Sequence, residues 1–367
     1  MTQRFGTVLV AALALGGCGS GGRARSDGGA IDLSGAGGAT GGTGGAAGTG
    51  DDGGCAWTLG APSAVAGPAP ARGSSADLQG PTIGDAPFDA DMQRRLVPVT
   101  VVTPSPGIEV GTAYLTRLSP QDETAAYLTI PVTNNGSAHP CFLVASPLRY
   151  KDAGGLLLNA DATLSYVTGS VGDAGFGFYT DSCLAPGDRG YFIDIQLSSN
   201  ATIFSSTASI EVTLAAQDGT TPLGRLVPTG YDLGTCAGAR ALRLFAVNDG
   251  SGPISVPLYG GFPDSPAILL DAGGLPAGWT YLGVTEAASV PIDLTATYTG
   301  SVASAPAVSR AHFFLQFGPP PTTADASMLA APPDGLAAAL DALRASRQEL
   351  RARWRAAISA RGYRQIP

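Results

Sequence analysis

Two histidines, five cysteines and 29 acidic residues are the groups from which this 367-residue chain would have to build a reaction centre. Nucleophilic catalysis needs a hydroxyl or thiol within reach of a base. Neither His139 nor His312 stands in a recognisable arrangement, and the sequence holds no G-x-S-x-G elbow, HExxH helix or P-loop. His139, followed by Pro140 and Cys141, reads as a surface turn residue beside a disulfide, and His312 as a strand residue. Asp85, Asp89 and Asp91 share part of the two-residue spacing of a calcium loop but lack its central glycine and bidentate glutamate. Paired carboxylates run glycosidases, yet nothing ranks one pair above another. The chain is therefore read as non-enzymatic, with no cofactor and no metal. The better lead is aromatic. Trp279 and Tyr281 lie two apart and share a strand face, with Tyr259 and Tyr298 on other strands, a set that would either stack on sugar rings or pack a core.

The remaining reactive group is Cys18. One positive charge at Arg4 precedes an apolar run from Phe5 to Leu15, eleven residues long, against the roughly twenty that span a bilayer. Small residues then follow, as a signal peptidase requires. Leu15-Gly16-Gly17-Cys18 resembles the lipobox of bacterial lipoproteins. That resemblance implies cleavage after residue 17, acylation of Cys18, and, with Gly19 in place of Asp at the next position, an outer-membrane address, periplasmic or surface-exposed. Two or three acyl chains hold a protein on a membrane without a spanning helix.

Residues 18–54 carry the anchor and a linker: 16 of the 36 residues from 19 to 54 are glycine. Such a segment builds no core, and a disordered coil of this length spans roughly 30–36 Å. The other four cysteines, Cys55, Cys141, Cys183 and Cys236, form an even set in a chain sent to an oxidising compartment, and none has CxxC spacing. Two disulfides are expected. Three connectivities are open. Cys141 with Cys183 joins two expected strand ends, Cys55 with Cys236 closes a module from beginning to end, and this pairing is favoured.

The fold expected is mainly β: two β-sandwich modules, 55–237 and 238–318, after the tether. Leu128, Ile130 and Val132 alternate with Thr129, Pro131 and Thr133, the period-two mark of a half-buried strand. Pro131, lacking an amide donor, argues for an edge or bulged strand. Similar alternation runs through 142–150, 191–197 and 210–214, then Leu242, Leu244 and Ala246, and later Phe313, Leu315 and Phe317. Val132-Thr133-Asn134-Asn135-Gly136, Leu148-Arg149-Tyr150-Lys151-Asp152 with Gly154-Gly155, and Leu184-Ala185-Pro186-Gly187 before Tyr191-Phe192 resemble the FxLYD-type immunoglobulin-like modules of bacterial envelope proteins. The resemblance implies a fold and no activity. The segment Gly169–Thr180 and the cysteine pair depart from it. Residues 242–247, Val256-Pro257-Leu258-Tyr259-Gly260-Gly261 and Tyr281-Leu282 are similar to the DUF4397-type β-domain of secreted bacterial proteins, which brings no catalytic residues.

Residues 319–367 start with three prolines and then show the chain's one good helical pattern. Leu336, Leu340, Leu343, Leu350 and Trp354 form an apolar stripe, with Asp334 as N-cap, and residues 334–367 hold seven arginines and three acids. That C-terminal amphipathic helix would dock on its own β-body, or meet anionic lipid or a partner. The net charge of -8 argues against nucleic acid. The reading is a lipid-anchored cell-envelope lipoprotein with a binding or scaffolding role, whose partners are the membrane, through acylated Cys18, and an envelope protein or polysaccharide. The alternatives are a carbohydrate-binding or adhesive surface module and a hydrolase with an unrecognisable site.

Overall fold

The structure is a computed structural model and describes 55–58 and, with short gaps, 77–317, together with 345, 348–350, 352–356 and 359. The alternating segments form strands. In chain order these are β1 (Cys55–Trp57), β2 (Asp77–Ile83), β3 (Arg94–Val97), β4 (Val99–Val101), β5 (Ile108–Val110), β6 (Ala113–Thr116), β7 (Ala125–Asn134), β8 (Pro140–Phe142), β9 (Leu148–Lys151) and β10 (Leu157–Asp161). They continue as β11 (Tyr166–Thr168), β12 (Arg189–Leu197), β13 (Ser209–Val212), β14 (Ala216–Asp218), β15 (Leu226–Cys236), β16 (Ala239–Asn248), β17 (Ser265–Leu270), β18 (Pro276–Val284), β19 (Thr295–Ser301) and β20 (Val308–Phe313). One-turn helices α1 (Ala90–Gln93) and α2 (Ile203–Ser206) interrupt them, and the described residues from 345 to 359 are helical.

The fold is mainly β and built as sandwiches. A six-stranded sheet, β11-β12-β7-β6-β3 with β5 also on β7, faces the four-stranded sheet β10-β9-β13-β4. Leu115, Leu128, Ile130, Val132 and Phe192 from the first meet Leu148, Tyr150, Ile210 and Val212 from the second in one apolar core. An eight-stranded sheet, β1-β15-β16-β19-β18-β17-β20-β2, packs on itself, with Tyr231, Leu242 and Leu244 against Leu269, Ala311 and Phe313. Its two ends approach so closely that the Tyr231 ring lies where a Cβ on Gly80 would be, 2.5 Å away. The Tyr231 hydroxyl donates to the carbonyls of Pro81 and Ser309 at 2.9 and 3.0 Å. The expected module boundary, 237/238, falls in the hairpin between β15 and β16, and β1, β2 and β15 belong to the eight-stranded sheet.

The two sandwiches repeat one plan. Asn134 at the end of β7 accepts from the Gly136 amide at 2.9 Å and donates to Leu184 O at 3.0 Å. Asn248 at the end of β16 accepts from Gly250 and donates to Val290 O, each at 2.9 Å. Asp152-Ala153-Gly154-Gly155-Leu156 recurs as Asp271-Ala272-Gly273-Gly274-Leu275. In both, the aspartate Oδ1 accepts from the leucine amide, at 2.8 and 2.9 Å. Both turns end on a left-handed glycine, Gly155 with φ 79° and Gly274 with φ 78°, the conformation glycine adopts without steric cost. The pairings β7–β12, β9–β10 and β9–β13 recur as β16–β19, β17–β18 and β17–β20.

The outer face of β7 and β12 packs on the outer face of β17, β18 and β20. Tyr127, Tyr191, Ile193 and Ile195 meet Ile268, Leu270, Trp279, Tyr281 and the adjacent Phe314, and Leu350 and Trp354 of the C-terminal helix complete this seam. Leu336, Leu340 and Leu343 lie outside the described residues. Two expectations need correction. Strand β7 is central, because β12 pairs on one side and β5 and β6 on the other. Pro131 is tolerated there because it falls opposite the gap between β5 and β6, where no strand needs its missing amide. Phe313 ends β20, and Leu315 and Phe317 are buried beyond it without strand pairing.

Candidate functional site

The expected site residues separate in space. Leu15, Gly16, Gly17, Cys18 and Tyr259 lie outside the described residues. Cys55 and Cys236 face each other as register partners of β1 and β15 and are bonded. Cys141 and Cys183 are bridge partners and also bonded, so the favoured connectivity is present. Trp279 and Tyr281 do share a face of β18, but that face is the seam: Trp279 stacks edge-on against Tyr127 at 5.3 Å and Tyr281 against Trp354 at 5.5 Å. Tyr298 points into the other core and donates its hydroxyl to Gln316 O at 3.0 Å. The three are 3%, 4% and 0% exposed, so these rings hold sheets together and offer no platform to a sugar.

The remaining groups of chemical interest are also structural. Asp89 caps α1, its Oδ1 accepting from the Asp91 amide at 3.0 Å. Among the described residues no three His, Cys, Asp or Glu side chains cluster as metal ligands would. His139 Nε2 lies 2.8 Å from Asp173 Oδ2, beside the Cys141–Cys183 bridge. Gly219 covers this pair so tightly that a Cβ there would sit 2.3 Å from the imidazole and 2.7 Å from the carboxylate. His312 is sealed in the seam region, with Phe314 at 4.3 Å and Tyr191 at 5.5 Å ring to ring.

Where the seam ends, a cleft of about 240 Å³ opens. Its floor follows from strand register. Successive residues of β7 alternate faces. Leu128, Ile130 and Val132 enter the inner core, so Thr129, Pro131 and Thr133 look outward. Thr133 pairs with Arg189 on one side and Glu109 on the other. Pro131 pairs with Tyr191, and its carbonyl accepts from the Gly111 amide at 2.8 Å. Tyr114 and Thr112 bound one side, and Gly274, Leu275 and Pro276 of the β17–β18 hairpin the other. Arg94 fixes that second wall: its Nη1 is 2.7 Å from Asp271 Oδ2 and 3.1 Å from Pro276 O. Burial alone would raise the Asp271 pKa, but hydrogen bonds from the Leu275 amide and Arg94 hold it below its usual value. Burial raises the Tyr191 phenol to about 12 against the opposing Arg189 charge, so it remains a hydrogen-bond donor.

The cleft was not legible in the sequence, because Glu109, Thr133 and Arg189 are neighbours only through the register of three strands. A second cleft, of about 410 Å³, lies by the Asn134–Gly136 turn and is lined by Ser105, Pro106, Ser137 and Asp218 among others. No described helix is long and apolar enough to cross a membrane. Comparison with protein-family models, with curated proteins and with solved structures finds no match.

Proposed function

We propose that the chain is a lipid-anchored lipoprotein of the cell envelope. It is held on the outer membrane through an acylated Cys18 and presents, beyond a glycine-rich tether, an immunoglobulin-like β-body that binds or scaffolds. The observation that carries this reading is Leu15-Gly16-Gly17-Cys18 directly after an eleven-residue apolar run. Two further features support it. Four cysteines paired as two disulfides suit an oxidising compartment. The polar side chains of the body also serve packing and pairing: Asp194 accepts from Tyr150 and Gln196 at 3.0 and 2.6 Å, and Asp232 pairs with Arg243 at 3.3 Å beneath Trp57. Growing the producing cells with radioactive palmitate tests the anchor. Label should enter the wild-type protein and be absent from Cys18→Ala. Label that persists in that variant, or a mature amino terminus at another residue, would remove the assignment.

A further inference from the structure

We propose, resting on the reading of the body as a binding module, that the cleft at the seam is a subsite for one uncharged sugar ring, held over Pro131 and beside Tyr114 between Glu109 and Arg189. The floor offers what a sugar's apolar face needs, the Pro131 ring and the bare backbone of Gly111, and the half-buried Tyr114 ring, with the Arg94 guanidinium 5.9 Å from its centroid, stands on the wall beside them. The rim offers what its hydroxyls need, an acceptor in Glu109, a donor in Arg189, and the hydroxyls of Thr112 and Thr133. Asn135 donates to Glu109 Oε2 at 2.9 Å and steadies that carboxylate at the edge.

Charge narrows the ligand. With one carboxylate and one guanidinium on the rim, an anionic ligand meets Glu109 and a cationic one meets Arg189, so the balanced rim favours a neutral polyol. A free amino acid is zwitterionic and would also balance the charges. However, the Pro131 ring and the bare backbone of Gly111 offer an apolar surface that a sugar's ring face uses and a small zwitterion does not. The volume, about 240 Å³, falls below the roughly 300–1,000 Å³ of drug-sized pockets and fits one ring.

The duplicated sheet supplies an independent argument. In the second sandwich the row equivalent to Glu109-Thr133-Arg189 is Val227-Val247-Thr295, by the same register on β15, β16 and β19. The fold is thus met with uncharged residues at these positions in the second sandwich, while in the first Arg189 also hydrogen-bonds the Tyr191 side chain. Glu109 and Arg189 stand where the β17–β18 hairpin walls a cleft.

The test uses the purified full chain in detergent, with saturation-transfer NMR followed by calorimetric titration against glucose, galactose, mannose and N-acetylglucosamine. Glucuronate, glucosamine and glycine are the charged and zwitterionic comparisons. At least one neutral sugar should show transfer and a millimolar Kd, and Glu109→Gln and Arg189→Met should each weaken it about tenfold, with the circular dichroism spectrum unchanged. Tyr114→Ala should abolish transfer, and if that variant does not fold, the two rim variants still decide. Tighter binding of glucuronate, glucosamine or glycine than of every neutral sugar would overturn the proposal. So would absence of transfer from all four neutral sugars, or wild-type affinity in both rim variants. None of these outcomes bears on the palmitate labelling of Cys18, so the two readings fail separately.

Discussion

An imidazole enclosed by aromatic rings and a neighbouring strand stays neutral, because charging it would require solvation the site does not provide. His312 is 2% exposed, and neither ring nitrogen has a hydrogen-bond partner among the described residues. The nearest carboxylate oxygen, on Asp77 of β2, is 3.8 Å from Nδ1. Burial first, and then the positive charges of Arg189 and Arg225, hold its pKa at about 3, against an ordinary value of 6.5. Since the folded pKa is the lower one, the contribution to stability is full above pH 6.5 and is lost as pH falls, because the unfolded chain takes up a proton that the fold refuses until about pH 3. Between pH 7 and pH 5 this should cost about 2 kcal/mol. Denaturant melts at the two pH values should show that loss in the wild type and a smaller one in His312→Phe, which keeps a ring beside Phe314 and Tyr191. Equal pH dependence in both proteins would mean that His312 is not neutral in the fold.

At the scale of elements, the C-terminal helix is a wedge for the seam. Leu350 is fully buried and Trp354 5% exposed. Between them in the chain, Arg353 reaches 3.4 Å from the buried carboxylate of Asp194 and donates to the carbonyl of Ile195, both on β12. Trp354 meanwhile stacks edge-on against Tyr281 of β18, so one helix grips both sandwiches. Deleting 319–367 should lower the unfolding free energy by about 3–6 kcal/mol, from about 1.5–3 per large side chain exposed. Trp354→Ala alone should cost about 3–5 kcal/mol. An unchanged melting temperature after the deletion would exclude docking. The amphipathic stripe made this helix legible in the sequence, as alternation did for β7, β12 and β16. Strand β17 escaped notice because Ala267 and Leu269 fill one core while Ile268 and Leu270 fill the seam, so the segment has no polar face to alternate with. For Trp279 and Tyr281 the sequence left two roles open, stacking on sugar or packing a core, because a shared strand face looks alike in sequence whether it meets solvent or another sheet, and the structure shows the packing role.

At the scale of the whole molecule, the duplication explains why, among the described residues, the first sandwich carries no second seam of the same kind. Ile268, Leu270 and His312 of the second sandwich correspond by register to Arg149, Lys151 and Glu211 of the first, which pair with one another at the surface. A repeat array ends on such a polar face. The recurring Asp-Ala-Gly-Gly-Leu turn and the Asn-x-Gly-Ser turns at 134–137 and 248–251 are the sequence signals of the repeat, and they are short because turns constrain backbone more tightly than strands constrain side chains. The disulfides act at this same scale. Cys55–Cys236 closes 181 residues and Cys141–Cys183 closes 42, worth about 5 and about 4 kcal/mol in the loop-entropy model. The double variant Cys55→Ser with Cys236→Ser should therefore lose somewhat more stability than Cys141→Ser with Cys183→Ser. Together the two bridges use four of the five cysteines, leaving Cys18. If Cys18 carries a thioether-linked lipid, the mature protein has no free thiol at all, and iodoacetamide in denaturant without reductant should add nothing. After reduction it should add four groups, because the thioether survives where the disulfides do not. A single adduct before reduction would show Cys18 unmodified and overturn the anchor while leaving the fold intact, whereas two or more would show that a disulfide had not formed.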